Sequence, residues 1–208
     1  MTTITRARGS VDLAQRLLWL TVAWNVIEGA IAVSAGVRAG SVALVAFGLD
    51  SFIEVTAALV LLWRIRLADA DERAEQRERT AHRIVGATFI ALAAYIAVQA
   101  IYVVVTRNEP DASPVGLVLA VASLIAMPAI GLTKRRNAVR LGSRALIAES
   151  TETLICSYLS VTLFLGLGAN ELFGWWWADI AAAFAMAPWI VKEGLEGLRG
   201  EECADASE

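Results

Sequence analysis

The sequence predicts an all-α membrane protein with six transmembrane helices and both termini in the cytoplasm. Three observations predict this: the apolar content, six apolar runs, and a one-sided distribution of basic residues. Of 208 residues, 57% (about 119) are apolar, and the mean hydropathy is +0.58. Because a span needs ~20 apolar residues, this content is enough for five or six spans. It leaves no room for a soluble enzyme domain with its own core.

The candidate spans are six apolar runs with charged borders. They cover residues 17–37, 41–63, 84–106, 115–133, 145–169 and 177–195. The first is not a signal peptide, because Asn25 and Glu28 interrupt it where a signal peptide is uniformly apolar. We therefore expect a cytoplasmic N-terminus at 1–16, a membrane domain at 17–199 and a disordered acidic tail at 200–208.

The basic residues orient the spans. Between the spans, Arg and Lys collect in alternate segments, and only Arg38 and Arg107 fall on the opposite side. Cytoplasmic segments of membrane proteins carry this excess of positive charge. Lys134, which follows the fourth run, is assigned to a cytoplasmic loop on this basis. The net charge of −3 and the pI of about 5.3 offer no basic surface for nucleic acid.

Acidic residues inside two spans form the candidate site. Asp50 and Glu54 lie four residues apart in span two, on one face of a helix. Glu149, Glu152 and Cys156 share a face of span five at positions i, i+3 and i+7. A carboxylate in the membrane interior costs ~2.5–3.5 kcal/mol on insertion scales, so each one indicates a function.

The depths of these residues match across the two spans. At 1.5 Å per residue, Asp50 lies roughly 14 Å and Glu54 roughly 20 Å below the outer border. Glu152 lies roughly 10 Å and Cys156 roughly 16 Å from the inner border of a core ~30 Å thick. If the two helices are neighbours, these four side chains meet near the midplane.

Three carboxylates and a thiol suit a divalent transition metal. Four ligands close the tetrahedron that Zn²⁺ prefers, and a thiolate favours Zn²⁺ or Cd²⁺ over harder ions. Such ligands bind metal only after losing protons, so one set of residues can exchange metal for protons. The metal would then be a substrate, and we expect no cofactor. For Asn25 with Glu28 we expect helix packing, and for Asp179 an interfacial or capping role.

The same residues resemble the cation diffusion facilitator family of divalent metal exporters. The resemblance runs from Asn25 to Gly194 and rests on two motifs: Gly48-Leu49-Asp50-Ser51-x-x-Glu54, and Ala148-Glu149-x-x-Glu152-x-x-x-Cys156. It implies that Asp50 and Glu54 are metal ligands in span two and that Glu152 and Cys156 are ligands in span five. It also implies a homodimer.

The chain departs from the family pattern in two respects. Cys156 replaces an acidic ligand and the single histidine, His82, lies outside the spans, so Glu149 is a possible substitute ligand. Only about a dozen residues follow span six where the family usually has a soluble C-terminal domain. We therefore expect that domain's regulation to be absent and a homodimer to form through membrane helices.

These observations predict a proton-coupled exporter of divalent metal, with Zn²⁺ as the expected ion, in the bacterial cytoplasmic membrane. The alternative is a metal-binding membrane subunit or sensor that does not transport. An intramembrane enzyme is disfavoured because Ser150 and Ser157 have no histidine near them.

Overall fold

Six α-helices make up the fold in the part of the chain that the structure describes, as expected for the all-α class. The computed structural model describes residues 2–66, 72–107 and 109–199, and it contains no strand in these ranges. The helices are α1 (Thr2–Ala39), α2 (Val42–Arg66), α3 (Glu72–Thr106), α4 (Pro114–Leu141), α5 (Arg144–Phe173) and α6 (Trp177–Arg199). Each of the six apolar runs coincides with one helix, which confirms the predicted fold class. The acidic tail at 200–208 lies outside the described residues.

Five of the helices in the described ranges, α1 to α5, are long and apolar enough to cross a membrane. Helix α6 is also long, with 23 residues, but it carries charges toward both of its ends. Asp179 lies in its first turn, and Lys192, Glu193 and Glu196 lie toward its end. Because of these charges, α6 is not among the helices that are apolar enough to cross a membrane by composition. Which side of the membrane the termini occupy stays a prediction.

The helices pack mainly as three pairs: α1 with α2, α4 with α5, and α3 with α6. Helix α2 also contacts α3, α5 and α6, so it lies at the centre of the bundle. Glycines allow α1 and α2 to approach closely. A Cβ atom added at Gly48 would lie only 2.8 Å from the Val33 nitrogen. Small residues of this kind are the usual contacts between membrane helices, because they let the two backbones meet.

Helix α4 extends further than its apolar run predicts. It continues past residue 133 to Leu141 and ends at Gly142, whose φ of 64° is the left-handed conformation that closes many helices. The expectation that Lys134 lies in a connection between two spans is therefore wrong: Lys134 belongs to α4, and its side chain is fully buried inside the bundle. Ending span four at its first charged residue excludes Lys134 from the helix. The lysine stays inside the bundle because its charge is paired with Glu149 on the next helix.

Candidate metal site

A cleft lies among α2, α3, α5 and α6. Asp50 and Glu54 line it from α2, and Glu152 and Cys156 line it from α5. These are the four residues whose depths match along the sequence. The contact between α2 and α5 places both pairs around the same space.

Apolar side chains form most of the rest of the wall. They are Ile53, Ala57, Phe89, Ile155, Leu159 and Trp189. Such walls keep the local dielectric low, which strengthens the attraction between a cation and the carboxylates. The cleft therefore combines a few acidic groups with a dry lining, as small-ligand sites commonly do.

Glu193 on α6 is a fifth polar residue of the cleft, and the sequence reasoning missed it. It was overlooked because it stands among Lys192 and Glu196 at the end of the last span, where a charge normally faces water. Helical spacing could have found it, since Trp189 and Glu193 are four residues apart and line the same cleft. Its neighbour Lys192 pairs with Glu196 at 3.5 Å and lies over the Trp189 ring.

Three of the cleft carboxylates have no partner among the described residues. The side chains of Asp50, Glu152 and Glu193 make no hydrogen bond or ion pair with any part of the chain that the structure describes. Nevertheless, no three His, Cys, Asp or Glu side chains in the described ranges converge as a preformed metal shell. A cation would therefore need small side-chain or helix movements to draw these ligands together.

Glu54 differs from the other cleft carboxylates because one of its oxygens is already held. The Thr153 hydroxyl lies 2.7 Å from Glu54 Oε1 and donates to it. The other oxygen, Oε2, is buried and has no hydrogen-bond partner among the described residues. Glu54 thus presents one fixed and one available oxygen.

Glu149, the possible substitute ligand, does not line the cleft. Its carboxylate accepts a hydrogen bond from Lys134 Nζ, and the two form a buried ion pair between α4 and α5. Lys134 Nζ also donates to the Thr153 hydroxyl at 2.7 Å. The structure therefore separates Glu149 from the four other candidates and pairs its Oε1 with a cation of the protein itself, while Oε2 is buried without a hydrogen-bond partner among the described residues.

Asp179 caps a helix other than its own. Its carboxylate accepts hydrogen bonds from the Ser41 hydroxyl and from the backbone N–H groups of Val42 and Ala43, at the start of α2. The first N–H groups of a helix lack partners within it, and a carboxylate there also suits the helix dipole. Asp179 thereby ties α6 to α2, the helix that presents Asp50 and Glu54.

Glu28 and Asn25 are buried in α1, as packing residues would be. Glu28 accepts hydrogen bonds from Trp24 Nε1 at 3.2 Å and from the Ser51 hydroxyl at 3.1 Å, which links α1 to α2. Neither polar atom of the Asn25 amide has a partner in the described part of the chain. The side chain of His82 is outside the described part of the structure.

Comparison with known proteins identifies the family. The family model of the cation efflux transmembrane domain matches residues 18–200, which is most of the chain. The chain belongs to the cation efflux family. This family is one of membrane-embedded cation transporters, so the expected resemblance is confirmed.

A curated relative supports the same assignment. An uncharacterized transporter of Synechocystis sp. is 25% identical to this cation efflux protein over 166 residues. The match covers 77% of this chain and 54% of the relative, so the chain spans about half the length of that protein.

Proposed function

We propose that this cation efflux protein exports divalent transition metal ions, chiefly Zn²⁺, in exchange for protons. One observation carries the proposal: Asp50 and Glu54 on α2 face the same cleft as Glu152 and Cys156 on α5. The metal is the transported substrate, and we propose no resident cofactor. The match to a family of cation transporters supports this proposal.

The ligand types favour a borderline metal ion. Carboxylates alone accept Mg²⁺, Ca²⁺ and Mn²⁺, whereas the thiolate of Cys156 favours Zn²⁺ or Cd²⁺. Zn²⁺ takes four ligands without a demand for a rigid octahedron, so Asp50, Glu54, Glu152 and Cys156 suffice in number. Glu193 supplies an additional oxygen from α6 at the edge of the same set.

Exchange for protons follows from the chemistry of these ligands. Carboxylates and thiols must lose protons to hold a metal, so binding on one side releases protons, and the return of protons displaces the metal. The open arrangement of the ligands supports a site that closes around an ion and opens again. We further propose that the protein works as a homodimer through membrane helices in the bacterial cytoplasmic membrane.

Transport in liposomes tests the proposal. We expect purified protein in vesicles with an acidic lumen to accumulate Zn²⁺, and the panel includes Cd²⁺, Co²⁺, Fe²⁺ and Mn²⁺. Asp50→Ala and Glu152→Ala should abolish uptake. Glu171→Gln is the matched control, because Glu171 is an exposed carboxylate on α5 away from the cleft.

Two outcomes would contradict the proposal: no ion of the panel accumulates, or Asp50→Ala accumulates it as wild type does. Stoichiometric binding of metal by the wild type without any flux would instead support the alternative, a non-transporting metal-binding subunit or sensor.

A further inference from the structure

Lys134 places a buried cation next to the cleft, separated from it by a single side chain. Its Nζ contacts Glu149 and the Thr153 hydroxyl, and Thr153 in turn contacts Glu54. Three helices contribute to this chain of hydrogen bonds: α4 through Lys134, α5 through Thr153, and α2 through Glu54. The lysine is fully buried, so it has no access to water as an alternative partner.

The hydrogen-bonding capacity of each group sets the direction of these hydrogen bonds. An ammonium group only donates, so the Thr153 oxygen must accept from Lys134. A hydroxyl carries one proton, and the Thr153 proton has two acceptors within reach. Glu54 Oε1 is at 2.7 Å, while the Glu149 backbone oxygen is at 3.2 Å and also accepts within the helix. The shorter bond to a carboxylate is the stronger one.

The two carboxylate oxygens of Glu54 therefore differ in their hydrogen bonding. Oε1 is occupied by the Thr153 hydroxyl, and Oε2 is buried without a partner among the residues that the structure describes. A buried acceptor without a partner is costly unless something binds it. A cation in the cleft is the ligand that such an oxygen suits.

We propose that Lys134 and Thr153 are positioning residues, which fix the Glu54 carboxylate so that Oε2 faces the transported ion. This inference rests on the proposed function, because it concerns the same site. We call the hydrogen-bonded chain from Lys134 through Thr153 to Glu54 the relay. Glu149 holds Lys134 in place and balances its charge, so the relay orients Glu54 without adding net positive charge beside a cation site. Such support of a metal ligand by its neighbours commonly sets metal affinity.

The test is Zn²⁺ binding by calorimetry on the purified full chain. Thr153→Val removes the hydroxyl and should weaken binding about tenfold, as expected for one hydrogen bond to a charged group. Thr153→Ser keeps the hydroxyl and should restore wild-type affinity. Thr151→Val is the matched control, because among the described residues the Thr151 hydroxyl bonds only to the Ile147 backbone oxygen. In liposomes, Thr153→Val should raise the KM for Zn²⁺ more than it lowers turnover.

A double-mutant cycle separates positioning from general structure. In a Glu54→Gln background, Thr153→Val should add little further loss, because the carboxylate that it orients is gone. If Thr153→Val does not fold, Thr153→Ala compared with Thr153→Ser supplies the same comparison. A thermal unfolding curve of each variant identifies the folded ones.

The outcomes distinguish this inference from the proposed function. If Asp50→Ala abolishes binding and Thr153→Val binds as wild type does, the proposed function stands and the relay is wrong. If Thr153→Val weakens Zn²⁺ binding in the Glu54→Gln background as much as it does in the wild type, the relay is also wrong. If the wild type binds none of Zn²⁺, Cd²⁺, Co²⁺, Fe²⁺ and Mn²⁺, the proposed function fails, and the relay fails with it.

Discussion

Lys134 on α4 and Glu149 on α5 form an ion pair inside the helix bundle, where their side chains are 0% and 5% exposed. Removing two charges from water costs roughly as much as their attraction returns, so the intact pair adds little net stability. Removal of one partner is different, because it leaves the other charge buried and uncompensated. The pair is therefore a sensitive point of the fold as well as a neighbour of the site.

The first prediction concerns this pair. Lys134→Met should destabilise the protein by about 3–5 kcal/mol, because Glu149 then remains as an unpaired buried charge. The double variant Lys134→Met/Glu149→Leu should recover most of that loss. Thermal unfolding in detergent measures both. Equal destabilisation of the single and the double variant would show that the charges are not the cause.

The second prediction concerns the cap that α6 supplies to α2. Asp179→Ala removes the acceptor of Ser41, Val42 and Ala43, and it should cost at least about 2 kcal/mol. Asp179→Asn retains one acceptor oxygen and should cost less. Asp111→Ala is the control, because Asp111 is an exposed loop residue. The three variants should rank in this order in a thermal melt, and equal melting of Asp179→Ala and Asp111→Ala would contradict the cap.

The third prediction concerns the contact between α1 and α2. At Gly48, a new Cβ would lie 2.8 Å from the Val33 nitrogen, so Gly48→Ala should cost about 1–3 kcal/mol through overpacking. At Gly168, the nearest atom would be 3.9 Å away. Gly168→Ala should therefore be neutral, or stabilising by up to about 1 kcal/mol through helix propensity. If both variants melt alike, the close packing is not needed.

The fourth prediction tests Glu193 as an additional ligand. Glu193→Gln should weaken Zn²⁺ binding, because it removes a cleft carboxylate that has no other partner in the described chain. Glu196→Gln is the matched control on the same helix, since Glu196 pairs with Lys192 and does not line the cleft. Calorimetry on both variants decides the matter. Equal affinities would remove Glu193 from the site.

The fifth prediction concerns the choice of metal. Cys156→Asp replaces the soft thiolate with a hard oxygen ligand, so preference should move from Cd²⁺ and Zn²⁺ toward Mn²⁺ and Co²⁺. Competition between Cd²⁺ and Mn²⁺ for the purified protein measures this change. Cys156→Ser removes the thiolate without replacing its charge and should weaken all four ions. An unchanged ratio of Cd²⁺ to Mn²⁺ in Cys156→Asp would exclude the sulfur as a ligand.

Much of the fold could be predicted because the bilayer imposes it. Each apolar run between charged borders became one helix, since backbone groups in lipid must bond within their own segment. The grouping of Asp50 and Glu54 with Glu152 and Cys156 also followed from the sequence. It needed only the helix rise, the spacing of the residues and the assumption that α2 and α5 are neighbours.

Three side chains show where this reasoning stops. From the sequence alone, Lys134 is expected in a segment between two spans, Glu193 is not recognised as a cleft residue, and Asp179 is expected in an interfacial or capping role with no indication of which helix it caps. In each case the decisive partner or surface lies on another helix: Glu149 for Lys134, the cleft for Glu193, and the start of α2 for Asp179.

By itself, the sequence determined the number of helices and which acidic residues share a helix face and a depth. Those properties depend on local spacing and on the cost of placing polar groups in lipid. Only the tertiary structure decided which of these groups face the cleft and which pair with each other. Whether a buried carboxylate such as Glu149 or Glu152 stays available depends on the charge that the neighbouring helix brings beside it, and helix packing sets that distance.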